Sequence, residues 1–384
     1  MTQRAKRKFT IFSSHGPQLD RNGLGSVCYF GSIMSRSAVL VLFLLIGLDN
    51  FGQSPYETGP SKDPRAVFAA IAPYYDLRDP NLKPWHLKVN YEFEDAKGNQ
   101  AEQGVFESWW ASPDVYRSTW NRGASTHSEW HTADGRRLIQ TTGEPLEIYE
   151  YWLQEALLAP LPSARDLDPA KSILIDHSIP SANSHTRCFM VAPAEITEPV
   201  ATKLQFGTYP EYCVNKALPI LLGYYRFGTI LVKCLNTVHM QGKSMPREIL
   251  IVEESREILE AKADPVDMIA ATDPALSPSP EARQMDSEAS QVGDSVESSL
   301  LVKKVAPVYP DDAKAGHMHG KVVLRTVIGP DGRVRDVRLV SAPSPSLALA
   351  AFHSVSQWQY KPYQVDGKPA IVETTVEVDF SLNR

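Results

Sequence analysis

The stretch Ala370-Ile371-Val372-Glu373-Thr374-Thr375-Val376-Glu377-Val378-Asp379-Phe380-Ser381-Leu382 alternates along its whole length. Ala370, Val372, Thr374, Val376, Val378, Phe380 and Leu382 fall on one side. Ile371, Glu373, Thr375, Glu377, Asp379 and Ser381 fall on the other. Period-two alternation of this length predicts a strand with one buried face. Upstream, 321–329 and 333–341 read as two strands around the hairpin turn Pro330-Asp331-Gly332. Ser344 then caps a helix with Pro345 at its first position, and Leu347, Ala351, Val355 and Trp358 share one face of it. The order is β-β-α-β, one helix on a small antiparallel sheet, so the fold class is α+β.

Several motifs recur in order through this region. They are Tyr309-Pro310 before a short helix, Gly320-x-Val322-x-Leu324, Asp331-Gly332-x-Val334, Trp358-x-Tyr360-x-Pro362, Gly367-Lys368-Pro369 and Val378-Asp379-Phe380. Together they resemble the C-terminal domain of TonB, over residues 299–384. The resemblance implies a periplasmic binding module with no catalytic residues and no cofactor. Such a module captures the TonB box, an extended segment of an outer-membrane transporter, as an added strand in transport across the outer membrane. It implies contacts from Pro307, Val308, Tyr309 and Pro310 and from Ile371, Glu373, Thr375, Glu377 and Asp379. An unpaired sheet edge suits that role, because an added strand satisfies both backbones without demanding many particular side chains. Tyr309 is equally readable as core, and Trp358 reads as core. His317-x-His319 reads as a solvated loop rather than a metal site.

The chain has 384 residues, enough for two domains and a linker, and a net charge of −6. Residues 1–54 are basic at +4, which leaves the remainder too acidic for a non-specific nucleic-acid binder. Ala38–Leu48 is apolar and about 16 Å long as a helix, roughly half a bilayer core. That length, with Gly52 and Ser54 behind it, predicts a signal peptide cleaved after Ser54, with Met34 as the natural start. The expected location is the periplasm or cell envelope; an uncleaved leader would be an inner-membrane anchor. The apolar run holds no histidine, which argues against coupling to the proton-motive ExbB–ExbD complex.

Export leaves Cys188, Cys213 and Cys234. Cys188 and Cys213 are the better candidate disulfide, each in a short strand-like piece; the alternative is three unpaired core thiols. Residues 64–261 begin with a helix at Pro64, then run through short strands and turns in a mainly-β meander, with a second helix over 146–158. This organisation resembles the half-open barrels of LolA-type lipoprotein carriers, with Trp109-Trp110-Ala111-Ser112-Pro113-Asp114-x-Tyr116-Arg117 as the closest local match. Trp109, Trp110, Tyr116, Trp120 and Trp130 either fill the core or line an apolar concavity for a lipid. His127 and His131, in strand-like sequence, do not make a helical metal pair. No G-x-S-x-G, H-E-x-x-H, P-loop or C-x-x-C motif is present, so no enzyme chemistry is visible. Residues 262–298 carry a net −6 among Pro, Ser and Ala and predict a disordered, extensible linker.

Overall fold

The computed structural model describes residues 63–381 apart from 96–97, 178–184, 197–203, 205–206, 217, 219, 287–289 and 292–299. The expected leader with its expected cleavage after Ser54, and Leu382, lie outside the described residues. Helix α1 (Pro64–Tyr75) starts where the sequence directs, with the Asp63 carboxylate accepting from Arg65 N–H at 3.0 Å and Pro64 in the first turn. It buries Val67, Phe68, Ile71 and Tyr75.

The meander follows as β1 (Trp85–Glu94), β2 (Gln100–Ser112), β3 (Val115–Arg122), β4 (Ser125–His131) and β5 (Arg137–Thr142). Helix α2 (Ile148–Leu158) comes next, then β6 (Ser172–Asp176), β7 (Thr186–Pro193), β8 (Glu211–Asn215), β9 (Leu221–Phe227) and β10 (Ile230–Leu235). Asn236, at φ 52°, ends β10 earlier than the apolar pattern suggests. A separate hairpin, β11 (Val238–Met240) and β12 (Lys243–Met245), precedes β13 (Glu248–Glu253) and β14 (Arg256–Ala263). Among the described residues these strands form one large antiparallel sheet, in which β14 lies between β1 and β13 and β6 is the far edge. Alternation drives it: Trp85, Leu87, Val89 and Tyr91 of β1 are buried, while Lys88 and Asn90 between them are exposed. Gly104 cannot be replaced cheaply, since a Cβ there would sit 2.2 Å from the Tyr91 ring. The Tyr91 hydroxyl donates a hydrogen bond to the fully buried Glu150 of α2, tying helix to sheet.

The aromatic residues of the meander are packing residues. Trp110, Trp120 and Trp130 are buried, the Phe106 and Trp120 rings meet at 5.1 Å in a tilted contact, and Arg117 lies 4.8 Å over Trp109. Cys188 and Cys213 are directly opposed on β7 and β8 and joined by a disulfide; Cys234 is a buried thiol.

The acidic segment after β14 departs from the expected disordered linker. Strand β15 (Asp267–Met268) pairs with β1, and a 3-10 turn at Pro274–Leu276 is capped by Asp273. Arg117 donates to Ala275 O at 3.0 Å, and β16 (Arg283–Met285) pairs with β5. The reason is backbone pairing at a sheet edge, with sparse anchors: Leu276 and Met285 are both buried. Composition averages those two side chains away.

The C-terminal region adds β17 (Ser290–Gln291), β18 (Leu301–Lys303), α3 (Asp311–Ala315), β19 (Gly320–Ile328), β20 (Val334–Ser341) and α4 (Pro345–Val355). It ends with β21 (Gln359–Tyr360), β22 (Gln364–Val365), β23 (Lys368–Pro369) and β24 (Val372–Phe380). A small sheet runs β17-β24-β19-β20, with β19 and β24 antiparallel from Gly320 opposite Phe380 to Ile328 opposite Val372. Ser344 Oγ accepts from Leu347 N–H at 3.2 Å, the predicted cap. Gly332 closes the β19–β20 hairpin at φ +80°, where a Cβ would meet Tyr360 O at 2.0 Å. Both sheets belong to one compact unit.

Candidate functional site

The small sheet has two edges, and they are not equivalent. The β20 edge is turned into the large domain. Phe352 of α4 stacks on Trp152 of α2 at 5.2 Å, and Trp152 Nε1 donates to Asp336 Oδ1 at 2.9 Å. Arg226 of β9 reaches Asp336 at 2.7 Å and Glu155 at 3.1 Å, with its guanidinium 4.3 Å over the Trp152 ring. Arg338 pairs with Asp166 at 3.1 Å, Arg335 with Glu129, and His353 with Glu253 at 2.8 Å. An aromatic centre ringed by satisfied charges is the anatomy of a stable interface.

Electrostatics reinforce it. Burial works against ionisation of Asp336, but Arg226 and Arg338 outweigh that cost and hold its carboxyl at about 2. Burial likewise opposes the Glu129 charge, and Arg335 with His127 bring it down to about 2.

These interface residues were not singled out from the sequence. The signal was present in α4, where Leu347-Ala348-Leu349-Ala350-Ala351-Phe352 is apolar all the way round. A helix apolar on every face must be covered on every face. Leu347, Ala351 and Val355 are buried, and Phe352 is covered by Trp152 of the large domain.

The β24 edge is the other one. Val372, Thr374, Val376, Val378 and Phe380 are buried, while Thr375, Glu377 and Asp379 are exposed and Glu373 is half-buried. Ile371, just before the strand, is half-buried. Glu377 holds Lys321 at 2.7 Å, and Glu373 is held by Arg165 at 2.9 Å and Arg325 at 3.6 Å. Among the described residues, nothing pairs with this edge from Thr374 to Phe380; β17 pairs with Val372 and Glu373.

The 307–310 segment lies at the Phe380 end of that strand. The Tyr309 ring meets Phe380 edge-on at 5.4 Å, and its hydroxyl donates to Met318 O. Tyr309 is therefore a packing residue that brings the two sequence-selected stretches together. Val308 is its exposed neighbour, at 82%. Pro307 is half-buried and Pro310 is the N-cap of α3. Trp358 is core, its Nε1 donating to Val305 O at 3.0 Å. His319 Nδ1 lies 2.9 Å from His317 O in an exposed loop. Among the described residues no group of three or more His, Cys, Asp or Glu could hold a metal, and no helix is long and apolar enough to cross a membrane.

A cavity of about 280 Å³ lies between the large domain and the small sheet, lined by Tyr209, Tyr212, Tyr224, Arg226, Arg338 and Leu339 among others. None of the meander tryptophans lines it.

Solved structures resemble the chain, three of them as follows. A LolA superfamily protein from Nitrosomonas europaea is 8% identical with a TM-score of 0.36, covering 56% of this chain and 97% of its own. A DUF1329 family protein from Desulfovibrio piger is 9% identical at 0.34, covering 56% and 94%. An outer membrane lipoprotein-sorting protein domain from Vibrio parahaemolyticus is 9% identical at 0.32, covering 51% and 90%. No curated protein matches the chain. Residues 305–382 match the family of the Gram-negative bacterial TonB protein C-terminal region, so this chain carries a TonB C-terminal domain there.

Proposed function

We propose that this chain is an envelope binding protein that captures an extended segment of a partner, such as an outer-membrane transporter, as a strand added to β24. One observation carries the reading: β20 is committed to the large domain, whereas β24 is unpaired among the described residues from Thr374 to Phe380. Those seven residues span about 23 Å, enough for a strand of ordinary length. The TonB C-terminal match supports the same assignment. Specificity comes from the outward side chains Thr375, Glu377 and Asp379 and from Val308 at the far end. Neutral or basic residues suit positions beside the two carboxylates.

Backbone pairing is separable from side-chain binding. The intact chain is titrated with a peptide of about nine residues alternating valine and lysine, N-methylated on one or the other alternate set of amides. Methylating the set that faces β24 is expected to weaken binding at least about tenfold, and methylating the other set to leave it nearly unchanged. Equal tolerance of both sets would sink the strand-addition reading.

A carrier role for the large domain is the second reading, favoured by the tyrosine- and arginine-lined cavity. At about 280 Å³ it is at the small end of ligand sites. Native mass spectrometry of the purified chain should then show a co-purified acyl ligand; a clean apo mass counts against it.

A further inference from the structure

The chain itself sits on one end of the β24 edge. Asp286 N–H donates to Pro369 O at 2.9 Å, just ahead of β24. Strand β17 then runs parallel to β24, with Ser290 opposite Val372 and Gln291 opposite Glu373. Strand β16 delivers it there, paired to β5 and anchored by the buried Met285. Strand addition is a backbone transaction, so any extended segment held at this place competes for it.

We propose that strand β17, with Asp286 bonded to Pro369 ahead of it, is an intramolecular occupant of the docking edge, which a partner strand longer than the open stretch must displace. The proposal rests on the strand-docking reading above and adds its regulation. Short pairing makes the occupant displaceable. Its pairing with β24 covers two residues of the nine in that strand.

One feature keeps it in place. Anchored at Met285, the segment acts at the high effective concentration of a short tether, in the millimolar range. A partner that wins must therefore bring more backbone pairs than the occupant does. It must also place neutral or basic side chains beside Glu373 and Glu377. The occupant thus raises the threshold for weak or acidic strands more than for long basic ones.

The test compares the intact chain with a Ser290→Pro/Gln291→Pro variant, in which both backbone N–H groups are removed. Hydrogen exchange is read at the amides of Val372–Thr374, and the valine–lysine peptide is titrated against both chains. Faster exchange at those amides with about three- to tenfold tighter peptide binding is the expected result. Unchanged exchange, or unchanged affinity in chains that bind, overturns the proposal. Faster exchange with no peptide binding to either chain keeps the self-pairing and overturns the docking reading instead. A Ser290→Gly/Gln291→Gly variant, which retains both N–H groups, should move exchange and affinity the same way by a smaller factor.

Discussion

Arg226→Ala is expected to cost about 3–5 kcal/mol, because it leaves Asp336 and Glu155 facing a missing cation in a buried setting. Arg226 is 6% exposed and bridges both carboxylates at 2.7 and 3.1 Å. The loss should appear as separation of the two domains before either unfolds, read as a split urea transition and new protease cuts between them. Arg226→Leu with Asp336→Leu should recover much of the loss, because an apolar pair removes both buried charges. Acid probes the same contact. Asp336 sits at about 2 in the folded chain against 3.8 as the ordinary value, so its contribution is full above roughly pH 4. It is lost as pH falls through 2, and is worth roughly 2 kcal/mol. A single urea transition in Arg226→Ala at unchanged midpoint would show that the cluster does not hold the interface.

Trp152→Ala is expected to cost about 3–5 kcal/mol, the usual range for emptying a buried tryptophan site, and not additively with Arg226→Ala, because the Arg226 guanidinium lies 4.3 Å over the ring. Its side chain is fully buried and meets Phe352 at 5.2 Å and Tyr149 at 5.4 Å. Phe352→Ala should lose less at the large domain but the same ring contact, so the double variant should fall short of additivity by about 0.5–1.5 kcal/mol. Urea midpoints of the four chains give that coupling directly. Full additivity would mean the two rings do not support each other across the interface.

The terminal strand was legible because period two leaves one reading when a charged or hydroxyl residue, Glu373, Thr375, Glu377 and Asp379, stands at every second place. The helix over 345–355 was legible from Ser344 and Pro345 alone. Strand β14, Arg256–Ala263, leaves little mark on the sequence, because it holds Arg256, Glu257, Glu260 and Lys262 and only two large apolar residues, Ile258 and Leu259. The docked position of the small domain was not legible either. Asp336 and Arg338 look like ordinary outward residues of a hairpin, and only the fold brings Arg226 and Asp166 to them. The path of the acidic segment failed for a different reason. Its order comes from main-chain pairing to β1 and β5, which leaves little mark on composition.

With the small sheet fixed against the large one, β24 is an edge at a set place rather than part of a module at the end of a long reach. Strand capture on β24 is the claim on which the rest depends. Hydrogen exchange of the intact chain with and without the valine–lysine peptide tests it most directly. New protection is expected at alternate amides between Thr374 and Phe380, with β20 unchanged. Protection on β20, or binding that leaves β24 exchanging as before, would contradict it.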